Sequence, residues 1–140
     1  MKALDTSVLV RYYAQDDTRQ SPIATEIIAK EQALFIPKTV LIELWWVLTQ
    51  ADKFCFPAAK VVAVFKHLLG LPNIWVEDEV AVTKALAWCE AGLEFQDALH
   101  LASAENCDTM LTFDDRRFAR RANRLGLYPS CQVPISANSS

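Results

Sequence analysis

Four short, largely apolar runs punctuate this chain at wide intervals, each too brief to be a helix. They are Lys2-Ala3-Leu4, Leu34-Phe35-Ile36, Ile74-Trp75-Val76 and Thr109-Met110-Leu111-Thr112. The stretches between them carry helical signals. A short helix is predicted through Val8–Tyr13. Ser21-Pro22 opens a second, with proline at the first helical position, running to about Lys30. Thr39 can cap the apolar run from Val40 to Leu48, and Pro57 opens a helix ending near Gly70. Asp78 caps one that stops at Gly92, Gln96 to Asn106 is helical again, and a helix from Arg116 to Leu125 is closed by Gly126. Gln132-Val133 can add a fifth strand. Short strands separated by helices need right-handed crossovers, and so predict a parallel sheet flanked by helices. With 140 residues and no linker or repeat, the expectation is one domain over 1–135 and a short polar tail over 136–140.

In such a sheet, ligands bind at the carboxyl ends of the strands. Two aspartates stand there: Asp5 after the first run and Asp114 after the fourth. Either can equally be an N-cap of the next helix, and Asp115 beside Asp114 reads as solvated. Glu43 lies within Val40–Leu48, a helix apolar nearly all round, so it is expected to be buried. A buried carboxylate needs a partner, and Lys38 and Lys53 are not at helical spacing from it. Asp97 opens the apolar helix segment Ala98-Leu99-His100-Leu101-Ala102, where a first-turn charge also suits the helix dipole. Glu94 shares its side of the chain. Taken together, the four acids repel one another unless cations neutralise them. An all-oxygen set suits Mg²⁺ or Mn²⁺, and the chemistry such a site supports is phosphoryl transfer.

Composition removes several rivals. With only Gly70, Gly92 and Gly126, no glycine-rich phosphate loop can be built. The four cysteines, Cys55, Cys89, Cys107 and Cys131, lack metal-ligand spacing and read as buried free thiols. No run approaches the roughly 18 apolar residues of a membrane span, and an acid already stands at position 5, so a soluble cytoplasmic protein is expected. A haloacid-dehalogenase-type phosphotransferase using Asp5 as nucleophile lacks its second aspartate two residues on, where Ser7 stands.

The segments Leu4-Asp5-Thr6-Ser7-Val8-Leu9, Val40-Leu41-Ile42-Glu43, Phe95-Gln96-Asp97-Ala98-Leu99-His100 and Leu111-Thr112-Phe113-Asp114 resemble, in order and spacing, the acidic motifs of PIN domains. They are most similar to those of VapC-type toxins of toxin–antitoxin pairs. The resemblance implies a three-layer α/β fold with a short, mostly parallel central sheet of four to five strands. It also implies an endoribonuclease dependent on one or two Mg²⁺ or Mn²⁺ ions. Asp5, Asp97 and Asp114 are then the main metal carboxylates, and Glu43 completes the cluster. Thr6 or Ser7 places a polar group near the metal or phosphate, and Glu94 is a secondary acid. Many relatives carry a further acid where this chain has Arg116, a role Asp115 can take. The implied partners are an RNA substrate, a VapB-type antitoxin and a second copy in a homodimer.

The net charge of −3 speaks against nucleic acid only as an average. Residues 1–112 carry −6 and the rest +3, because five of the seven arginines are Arg116, Arg117, Arg120, Arg121 and Arg124. At helical spacing they form one stripe beginning beside Asp114, which can meet RNA phosphates, an acidic antitoxin segment, or only solvent. The four tryptophans fall in apolar patterns, as core or interface residues. The competing functional expectation is a non-catalytic PIN-like module that binds RNA or protein.

Overall fold

A computed structural model describes residues 1–50 and 52–135, which form two compact units meeting in sequence at Glu79 and Val80. The expected polar tail over 136–140 lies outside the described residues. The first unit contains β1 (Lys2–Ala3), α1 (Thr6–Ala14), α2 (Gln20–Lys30), β2 (Leu34–Ile36), α3 (Lys38–Gln50), α4 (Ala58–Leu69) and β3 (Ile74–Val76). Its strands lie in the order β1-β2-β3, all parallel, with Lys2 opposite Leu34 and Phe35 opposite Trp75. Parallel pairing places the carboxyl end of every strand at one edge, and Asp5 therefore stands at that edge. The core beneath is aliphatic and aromatic: Leu9, Leu34, Ile36, Leu44 and Phe65 are essentially solvent-free, and Trp45 meets the Phe65 ring edge-on at 5.7 Å. Each such side chain contributes about 1.5–3 kcal/mol of burial.

Two helix starts differ from expectation, for the same reason. α2 begins at Gln20 because the Asp17 carboxylate accepts the N–H groups of Arg19 and Gln20, at 2.9 and 2.7 Å. Pro22 still falls in the first turn, where a missing N–H costs nothing. α3 begins at Lys38, whose N–H donates to Glu77 Oε1 at 2.9 Å, so Thr39 lies inside the helix. In both places a carboxylate near or far in sequence supplies the acceptor that the helix end lacks.

The second unit contains α5 (Glu79–Glu90), α6 (Phe95–Ser103), β4 (Thr109–Leu111), a π-helical turn (Asp115–Ala119) that runs into α7 (Arg120–Arg124), and β5 (Ser130–Gln132). β4 and β5 pair in parallel, with Met110 opposite Cys131. Among the described residues each strand thus pairs in parallel with its neighbour, in one ladder of three and one of two. Gly92 and Gly126 close α5 and α7 at φ +114° and +69°. In each case the following N–H reaches back five residues, Leu93 to Trp88 and Leu127 to Ala122, as a left-handed helix end requires. The predicted helix from Arg116 is not one regular cylinder: the N–H of Ala119 bonds the carbonyl of Asp114, five residues back, before α-helical spacing resumes. Asn123 holds β5 to α7 by a reciprocal pair of 2.9 Å bonds to the Cys131 backbone.

The cysteines depart from expectation. All four are free, but only Cys131 is buried; Cys55 and Cys107 are exposed and Cys89 is half-buried. Among the described residues no helix is long and apolar enough to cross a membrane.

Candidate active site

The first unit supplies Asp5, Thr6, Ser7 and Glu43. Asp5 occupies the N-cap of α1 with extended backbone, yet its carboxylate makes no cap hydrogen bond. Instead the Ser7 hydroxyl donates to Asp5 Oδ2 at 3.2 Å. The acid is therefore exposed and held from one side, its capping capacity unused. Beside it Thr6 is 4% exposed, and its Oγ1 is buried with no hydrogen-bond partner among the described residues. An unpaired buried hydroxyl costs about 1–3 kcal/mol.

Glu43 corrects the expectation of burial. It lies on an exposed face of α3, next to Trp46, which is 60% exposed, while Leu41, Leu44, Trp45 and Leu48 form the buried face. Burial therefore does not oblige Glu43 to find a cation. Its position in the second turn after β2, on a helix that packs against α1, is what remains.

The second unit supplies Glu94, Asp97, Asp114 and Asp115. α6 turns Phe95, Ala98, Leu99, Leu101 and Ala102 inward, which leaves Gln96, Asp97, His100 and Ser103 on the other face. Asp97 is half-buried and lines a cavity of about 460 Å³ together with His100, Met110, Thr112 and Phe118. Asp114 follows β4. Its N–H donates to Thr112 Oγ1 at 3.0 Å, and its Oδ1 accepts the N–H of Arg117 at 3.0 Å. The capping role is thus real for one oxygen of Asp114, and Oδ2 stays available. Asp115 is tied to Arg120 at 2.7 Å.

These acids sense one another. Burial pushes the Asp97 carboxyl above the usual carboxylate range, and the charge of Asp114 pushes it further, with His100 opposing. Glu94 is raised by burial and then by Asp97, against the N–H of Gln96 and the charge of His100. The influence of Asp97 also reaches the buried Cys131 thiol, raised chiefly by its own burial. Such carboxylates resist full ionisation unless positive charge arrives, and their oxygens are hard donors of the kind Mg²⁺ and Mn²⁺ prefer. The donor chemistry fits a divalent cation, although within neither unit do three acidic, His or Cys side chains, among the described residues, already stand as a metal cluster.

The arginines do not form one uniform stripe. All five are exposed, but Arg120 is paired with Asp115 and Arg121 Nη1 donates to the Gly92 carbonyl at 3.3 Å. Among the described residues Arg116, Arg117 and Arg124 make no side-chain ion pair or hydrogen bond. The sequence could not show this division, because the π-helical turn shifts Arg116 and Arg117 relative to the three that follow. His100 stands three residues beyond Asp97 on the same helix face.

No curated protein matches the chain. Among solved structures, it is similar to VapC20 of Mycobacterium tuberculosis, described as a toxin that cleaves the sarcin–ricin loop. That likeness has 20% identity, a TM-score of 0.43, and covers 92% of this chain and 98% of the other. The PIN domain family matches residues 2–124, a span that runs through both units and takes in Asp5, Glu43, Asp97 and Asp114. By that match the chain belongs to the PIN-domain family.

Proposed function

We propose that this protein is a metal-dependent endoribonuclease and the toxin of a VapBC-type pair, acting in the cytoplasm as a homodimer restrained by a VapB-type antitoxin. The observation that carries the reading is the coupling of Asp97 with Asp114 and Glu94 inside a match to the PIN domain. Carboxylates raised by burial and then by a neighbouring acid, as Asp97 is by Asp114 and Glu94 by Asp97, are poised for a cation.

Asp5, Glu43, Asp97 and Asp114 are the proposed catalytic carboxylates and metal ligands, with one or two ions. Bound Mg²⁺ or Mn²⁺ supplies Lewis acidity, making water a nucleophile near neutral pH and offsetting charge on the reacting phosphate. Ser7 fixes one oxygen of Asp5, and the Thr6 hydroxyl beside it is unclaimed among the described residues. Glu94 adds negative charge next to Asp97, and His100 tempers it. Thr112 and the Arg117 N–H hold Asp114 in place. Water attacks phosphorus in line with the departing 3′ oxygen, which takes a proton. The products are a 5′-phosphate and a 3′-hydroxyl, with no part for the 2′-hydroxyl. The exposed arginines provide phosphate contacts, and the same cations suit an acidic antitoxin segment.

Isothermal titration with Mn²⁺ tests the site apart from turnover. Wild type is expected to bind saturably, and Asp5→Asn and Asp97→Asn to bind at least about tenfold more weakly. The competing reading, a non-catalytic binding module, predicts no carboxylate-dependent Mn²⁺ binding and no RNA cleavage.

A further inference from the structure

The second unit holds another concavity, which shares no lining residue with the one beside Asp97. It has a volume of about 230 Å³ and is lined by Ala91, Gly92, Arg121, Arg124 and Leu125. We infer that this cleft binds one ribose–phosphate unit of an RNA strand, apart from the bond that is cut. The inference rests on the proposal that RNA is the substrate.

Size sets the class of ligand. The cleft is smaller than the ~300 Å³ and upward typical of sites that enclose a whole small molecule, so it takes one backbone unit rather than a base and its sugar together. Charge sets the sign. Arg121 and Arg124 are three apart on α7 and share a face. Among the described residues no carboxylate lines the cleft to neutralise them, unlike Arg120, which Asp115 holds. Two adjacent guanidiniums without a counter-anion favour a phosphate, which each can grip with paired N–H donors.

The Gly92 carbonyl can select among anions. Gly92 closes α5 at φ +114°, a backbone conformation that suits glycine, and its exposed carbonyl accepts a long 3.3 Å bond from Arg121 Nη1. A ligand that engages Arg121 can offer this carbonyl a donor in its place. An acidic side chain brings acceptors alone. A ribonucleotide brings phosphate oxygens for the arginines and a 2′-hydroxyl that donates to the carbonyl. Ala91 and Leu125 give the sugar an apolar wall. The chemistry therefore fits RNA better than DNA and better than an acidic peptide.

The test is equilibrium binding of short single-stranded RNA, and of DNA of the same sequence, to the full-length protein in EDTA, followed by fluorescence anisotropy across a salt series. Wild type is expected to bind RNA more tightly than DNA. Arg121→Ala/Arg124→Ala is expected to bind RNA about tenfold more weakly, with a log–log salt slope shallower by roughly 0.7 for each phosphate no longer gripped, and to bind RNA and DNA alike. Arg124→Lys should recover part of the affinity. Because Arg121 also ties α7 to Gly92, Arg124→Ala alone decides the matter if the double variant does not fold. Wild-type affinity in Arg124→Ala overturns the proposal. So does equal RNA and DNA binding by wild type, or displacement of RNA by polyglutamate that is lost in the same variants. If Mn²⁺ elicits no cleavage while this binding pattern holds, the nuclease reading fails and the cleft stands; cleavage with unchanged variant binding has the opposite meaning.

Discussion

The acids of the two units are built differently. In the first, Asp5 and Glu43 are exposed, and each sits on its own element, Asp5 at the head of α1 and Glu43 on the outer face of α3. In the second, Asp97 is half-buried, and Asp114 and Glu94 act on it or respond to it through their charges. An exposed acid is available at little cost to the fold. A half-buried one under like-charge pressure costs stability in the metal-free protein, and that cost is relieved when a cation arrives. The difference predicts that the two sets are equally necessary for activity but unequal in what they do to stability.

The largest effects are on cleavage. Asp5→Asn and Asp97→Asn should each lower the rate of RNA hydrolysis at least about 100-fold, since each removes a negative charge that would hold the proposed metal. Their thermal unfolding in EDTA at neutral pH should diverge. Asp97→Asn is expected to melt above wild type, and Asp5→Asn to stay close to it, as exposed substitutions do. Equal shifts would erase the distinction between the units.

The pH dependence sharpens the same contrast. Asp97 and Glu94 have folded-state pKa values raised above their usual ones. Their contribution to stability is therefore full at pH below the unfolded carboxylate pKa and is lost as pH rises through the folded values. In metal-free protein this part of the stability profile should fall from acid toward neutral pH. Asp97→Asn should flatten it, and saturating Mn²⁺ should restore stability at neutral pH. A smaller effect is expected from Glu94→Gln, roughly tenfold on cleavage, with the metal-free melting temperature raised less than by Asp97→Asn. Smallest of all, Asp115→Asn releases Arg120 from an exposed ion pair, so stability should change by under about 1 kcal/mol while RNA affinity rises slightly.

Much of the fold was legible because apolar runs are short and their boundaries strong. Leu34–Ile36 and Ile74–Val76 are strands as read, and Gly92 and Gly126 end helices because left-handed closure favours glycine. What local pattern could not reveal depended on distant partners. Glu77 supplies the acceptor at the start of α3, 39 residues away in sequence. Glu43 looked buried because its neighbours are apolar, but an apolar helix can leave a large residue such as Trp46 in solvent, and composition does not say which face is covered. The arginines read as one stripe because regular 3.6-residue spacing was assumed, and the π-helical turn at Asp115–Ala119 breaks that spacing. Asp5, Asp97 and Asp114 were legible as candidates from their places at strand and helix ends. The repulsion among the acids was legible in outline, but not that burial comes first for Asp97 or that Asp114, which follows β4, is the acid that presses on it.

The central claim is that these carboxylates hold a divalent cation that makes RNA hydrolysis possible. End analysis of RNA cleaved by the purified protein tests it most directly, with Mn²⁺, with EDTA, and with Asp97→Asn. Wild type in Mn²⁺ should yield fragments with 5′-phosphate and 3′-hydroxyl ends, and RNA should stay intact in the other two. Cleavage that persists in EDTA, or fragments ending in 2′,3′-cyclic phosphate that Asp97→Asn produces equally well, would contradict it.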